Sequence, residues 1–143
     1  MGRPSAQFLA ATLIAAAALA HAGVKPEEIA AARAQVAAEP WLALLDAGEY
    51  EKTWDEASKA FKTSTTKEKW AEASKGLRDP LGKLVSRKLF SAKYTDKIPH
   101  APQGKYVILQ YDTAFEKKGM TIETVTPMLD PDGAWRVSGY YVK

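Results

Sequence analysis

The sequence has no cysteine and only two histidines, His21 and His100. Disulfide scaffolds, thiol nucleophiles and cysteine-bound zinc are therefore excluded. Charge of one sign is also scarce: 20 basic against 17 acidic residues leave a net charge of +3, far short of the concentrated positive field that grips nucleic acid. No glycine-rich phosphate loop, nucleophile elbow or metal-ligand spacing occurs. What the chain does have is 143 residues, 46% of them hydrophobic, with four tryptophans and six tyrosines. That is material for one compact domain held by packing alone.

Residues 1–22 differ from the rest. Arg3 gives a weakly positive start, Phe8 to Ala20 is an uncharged Ala/Leu-rich run, and Ala20-His21-Ala22 places small residues where a signal peptidase reads. A spanning helix needs roughly 20 apolar residues, so this run is short for an anchor. The expectation is a signal peptide over 1–22, cleaved after Ala22, and one exported α+β domain over 23–143, periplasmic or secreted, with no stable membrane anchor. His100 is then the only imidazole, which excludes a two-histidine metal site within one subunit and leaves any Ser-His-Asp triad dependent on that residue.

Pro26 with Glu27 and Glu28 opens a helix, since proline suits its first position and acids suit the positive end of its dipole. Ala30, Ala34, Ala37, Trp41 and Leu44 or Leu45 recur at helical spacing, with a kink or a fresh helix expected at Pro40 and an end at Gly48. Tyr50, Trp54, Ala57 and Phe61 predict a second amphipathic helix, and the pair Thr65/Glu68 caps a third that carries Trp70 and Leu77 to Asp79-Pro80. From Leu84 the period changes to two. Strands are expected at 84–94, 105–116, 120–129 and 134–143, with turns at Lys117-Lys118-Gly119 and at Asp130-Pro131-Asp132-Gly133. The fold expected is α+β, two to three helices packed on a curved four-stranded antiparallel meander. With Gly133 as a bulge, a regular register pairs Leu129 with Trp135, Pro127 with Val137, Val125 with Gly139 and Glu123 with Tyr141.

Several segments in fixed order carry a resemblance: Trp41 to Tyr50 with Trp54, then Pro80-Leu81-Gly82 with Ser86-Arg87, Gly104 to Val107, Glu123 to Thr126, and Asp132 to Tyr140. Over nearly all of residues 30–143 the chain resembles a bacterial family catalogued as domain of unknown function 4019. The resemblance implies an exported small protein and a fold similar to the cone of nuclear transport factor 2 and the ketosteroid isomerases. It implies no activity and supplies no catalytic residues.

Glu123 is the sharpest candidate, because a carboxylate on an otherwise apolar strand face is either paired or perturbed. Arg87 is its expected partner, its planar fork suiting a carboxylate. Together with Tyr141, Trp135 and Trp41 these form the candidate ligand-binding set, although the tryptophans, each on an apolar stripe or face, read first as core. The function expected is non-catalytic binding of a small molecule or an envelope protein, with no metal, cofactor or nucleic acid. A homodimer through the polar sheet face is compatible with the pattern. The alternative is a cofactor-free isomerase- or hydrolase-like enzyme in which Glu123 or Asp112 is the general base and Tyr141 or Tyr106 stabilises an oxyanion. His100, between Pro99 and Ala101, reads as an exposed loop residue.

Overall fold

A computed structural model describes residues 23–143; the expected signal peptide lies outside the described residues. Helix α1 spans Pro26–Asp46, opened by Pro26 and by the Lys25 backbone N–H donating to Glu28 Oε2 at 3.4 Å. It buries Ala34, Ala38, Trp41, Leu42 and Leu45, one stripe facing the sheet. Of the kink or fresh helix expected at Pro40, the fresh helix does not occur: α1 runs through the proline. The carbonyl that the proline leaves without a donor is that of Val36, on an exposed turn where water can satisfy it.

The second expected helix is two: α2, Tyr50–Asp55, and α3, Lys59–Ser64. A tertiary contact breaks it. The Ser58 N–H donates at 2.8 Å to the Val137 carbonyl on the edge of the sheet, and the Ser58 hydroxyl then caps α3 by accepting from the Phe61 N–H at 3.1 Å. Helix α4, Lys67–Arg78, is capped by Thr66 rather than Thr65, its hydroxyl accepting from the Lys69 N–H; a single 3-10 turn, Asp79–Leu81, follows. Among the described residues the α-helices thus number four where two or three were expected.

The strands are β1 Leu84–Thr95, β2 Tyr106–Phe115, β3 Lys118–Leu129 and β4 Trp135–Val142, forming one antiparallel sheet in the order β1-β2-β3-β4. The β2–β3 turn is Glu116–Lys117, a residue earlier than its lysines and glycine suggested, because Phe115 pairs with Lys118. The β3–β4 turn forms as expected: Gly133 has φ +85°, and the Asp130 N–H donates to the Ala134 carbonyl at 2.9 Å. Val107, Leu109, Tyr111, Val125 and Val137 meet the α1 stripe in the core.

The β3–β4 register departs from the regular one at one place. Leu129 pairs with Trp135 and Pro127 with Val137, but Thr126 pairs with Gly139, leaving Ser138 extra. Beyond this bulge Val125 faces Tyr140, Thr124 faces Tyr141 and Glu123 faces Val142. Tyr140, not Tyr141, therefore turns towards Glu123. The slip adjoins Pro127, which has no N–H for the ladder.

Candidate functional site

Six elements converge on one buried chain of charges. Asp46 is the last residue of α1, Arg78 the last of α4, and Arg87, Thr113, Glu123 and Tyr140 come from β1, β2, β3 and β4. Alternation along the strands points these four side chains to the helix side, where Arg87 pairs across with Thr113. The Arg87 guanidinium donates two bonds to Glu123, Nε to Oε1 at 2.7 Å and Nη2 to Oε2 at 3.0 Å, and two to Asp46, at 2.7 and 2.9 Å. Arg78 donates to the same Asp46 at 2.9 Å while its guanidinium lies over the Phe115 ring. Thr113 Oγ1 donates to Glu123 Oε1 at 2.6 Å and the Tyr140 hydroxyl donates to Oε2.

Two carboxylates and two guanidiniums alternate here, so each charge is met by an opposite one. Burial pushes the Asp46 carboxyl up, but the bonds and charges of Arg87 and Arg78 outweigh it and hold the group below the usual carboxylate range. For Arg87 the burial penalty is outweighed by its two carboxylates, which raise it further above its ordinary range. Burial first, then the Glu123 charge, pushes the Tyr140 phenol well up, and burial takes Tyr111 up to about 12. Glu123 itself is 0% exposed, with no surface that a solvent-sized molecule touches.

The network backs an aromatic wall. The Tyr140 ring lies 5.6 Å from Trp41, Trp41 lies 6.2 Å from Trp70, and Phe61 meets Trp70 edge-on at 4.9 Å. Hydrogen bonds lock the indoles: Trp41 Nε1 donates to the Thr53 carbonyl at 2.8 Å, and Trp70 Nε1 donates to the Thr53 hydroxyl at 2.8 Å. In front of Trp41 a cleft of about 650 Å³ opens between α1, α2 and β4, walled by Pro40, Leu44, Trp135 and Val137 and rimmed by Lys52, Asp55, Glu56 and Arg136. Its size and apolar wall with a charged rim suit a small organic ligand.

The expected residues thus fall into three places. Glu123 and Arg87 are joined, as their chemistry suggested, with Glu123 fully enclosed and Arg87 largely covered. Trp41 and Trp135 share the cleft. Tyr141 is 52% exposed on the opposite sheet face, a correction that follows from the Ser138 bulge. Asp112 is exposed on that outer face, and Tyr106 is buried six residues away with its hydroxyl donating to the Pro102 carbonyl; about 20 Å of strand separates the two, too far for one reacting centre. His100 is exposed, with φ 65°. Sequence reasoning missed Asp46, Arg78, Thr113 and Tyr140. Asp46 carried a signal, standing four residues after buried Leu42 on the apolar stripe; Arg78 carried none.

Every partner of the Glu123 carboxyl donates to it and none of its surface is open, so it does not face a cavity in which it could exchange a proton with a bound molecule. Among the described residues no three His, Asp or Glu side chains group as ligands for a metal ion. A family model described as "Protein of unknown function (DUF4019)" matches residues 37–140. Neither a curated protein nor a solved structure matches the chain.

Proposed function

The chain belongs to this DUF4019 family, whose description assigns no activity, and from that premise we propose a non-catalytic, exported binding domain that takes a small apolar ligand in the Trp41–Trp135 cleft. One observation carries the reading: the acid that chemistry would need is enclosed and fully paired, while a cleft lined by Trp41 and Trp135, on the far side of Trp41 from it, is open. Glu123 and Arg87 then act as positioning residues. Glu123 holds the Tyr140 hydroxyl, Tyr140 packs on Trp41, and Trp41 forms the wall. A rigid wall lowers the ordering cost of binding. Kinship with the nuclear transport factor 2 cone is part of the proposal and rests on the order of helices then curled sheet.

Export rests on the apolar run Phe8 to Ala20 and the Ala20-His21-Ala22 site. Native mass spectrometry of protein purified from its own cell envelope tests both parts. A mature chain starting at Gly23 with a co-purifying small molecule is expected, lost in Trp135→Ala and Leu44→Asp. A ligand retained by both variants overturns the cleft, and an uncleaved chain overturns export by this signal.

A further inference from the structure

Trp135, which walls the cleft in front of Trp41, also lines a second cleft of about 410 Å³ together with Ala30, Arg33, Tyr94, Lys105 and Leu129, between the first half of α1 and the end of the sheet. Among the α1 residues bordering the two clefts, Ala30, Arg33, Ala37, Trp41 and Leu44 follow one another at spacings of three or four along one helical face. At 1.5 Å per residue this face runs about 21 Å from Ala30 to Leu44.

The two ends differ in charge. At the Trp41 end the rim charges are largely matched within the protein: Lys52 pairs with Glu49, Asp55 with Lys67, and Arg136 with Asp130 and Asp132, leaving Glu56 as the acid without a salt-bridge partner among the described residues. At the other end Arg33 and Lys105 have no carboxylate within salt-bridge distance among the described residues, and Glu27 is the one acid lining that cleft. We infer that the two clefts form one elongated site for a free single-chain amphiphile with a carboxylate head, the head at Arg33 and Lys105 and the alkyl chain running past Trp135 to Trp41 and Leu44. The inference rests on the cleft reading above and adds the ligand's class and direction. Glu56 repels a head placed the other way round.

Tryptophan fluorescence and calorimetric titration of the whole protein with hexanoate, decanoate and decanol, at pH 7.5 and below micelle formation, test it. Decanoate is expected to bind at least tenfold tighter than hexanoate, the ceiling being about fourfold per methylene. It is also expected to bind about fivefold tighter than decanol, the gain of one exposed ion pair of about 1 kcal/mol. Arg33→Gln/Lys105→Gln should erase the advantage over decanol and leave decanol binding unchanged. Equal binding of decanol and decanoate overturns the head assignment while the Trp41–Trp135 cleft stands. Equal binding of hexanoate and decanoate overturns the joined groove. Binding of none of the three probes removes both the inference and the cleft reading, and binding only to anionic vesicles replaces the free amphiphile with a membrane surface.

Discussion

Replacing Arg87 by Met isolates what the charge chain contributes. The substitution keeps an unbranched apolar stem but removes four charge-assisted bonds at 2.7–3.0 Å. The two acids are affected unequally. Asp46 retains Arg78 at 2.9 Å. Glu123, 0% exposed, keeps only the Thr113 and Tyr140 hydroxyls and no cation. Stranding one member of a buried pair costs about 3–5 kcal/mol, a large share of the roughly 5–15 kcal/mol that holds a domain folded. With a urea slope of about 2 kcal/mol/M the midpoint should fall by about 2 M, with the slope itself unchanged. The double variant Arg87→Met/Glu123→Gln removes the stranded charge but leaves an amide oxygen to accept from the two hydroxyls, so it should recover about 2 kcal/mol of the loss. Urea unfolding followed by near-UV circular dichroism measures both. A single variant within about 1 kcal/mol of wild type, or a double variant no more stable than the single, refutes the assignment of a buried, mutually dependent pair.

At high pH the raised Tyr140 and Tyr111 phenols keep their protons in the folded state while their unfolded counterparts ionise near the ordinary value of 10.0. Their contribution is complete below pH 10 and is lost above it, Tyr111 through about 12, so stability should decline from pH 10 upward and Tyr140→Phe should soften that decline; an equally steep decline in the variant contradicts it. At low pH the signs reverse: Asp46 lies below its ordinary 3.8 and Asp132, bonded by Arg136, falls to about 2, so their stabilisation is present above about pH 4 and disappears as pH drops towards 2. Asp46→Asn should shrink the stability difference between pH 6 and pH 3, and an unchanged difference would count against the Arg78–Asp46–Arg87 link. Thr53→Val, which leaves the Trp70 indole N–H without its acceptor, should cost about 1–3 kcal/mol and shift the tryptophan emission; neutrality in both would show that the hydroxyl does not fix the indole.

Much of the fold was legible because it is written in local periodicity. The 3.6-residue stripe of α1, the change to alternation at Leu84 and the turn at Asp130–Gly133 each express a rule that acts within a few residues. The pairing of Glu123 with Arg87 was also legible, since a carboxylate facing a core needs a cation and the strand alternation offered one. Two errors have one kind of cause. Helix 50–61 breaks because Ser58 bonds to the strand edge at Val137, and the β4 register slips because Ser138 is extra beside Pro127. Strand pairing settles both, and periodicity within a segment carries no information about it.

The sequence by itself determined that helices precede strands, the α+β class and the exclusion of thiol chemistry, because composition and short-range spacing suffice for each. Only the tertiary structure decided that Tyr140 rather than Tyr141 meets Glu123, that Asp46 and Arg78 complete the charge chain, and that the open cleft lies on the far side of Trp41. Those outcomes depend on which of two neighbouring residues faces inward once six elements close together. A one-residue slip in a strand inverts that choice without altering the pattern of the sequence.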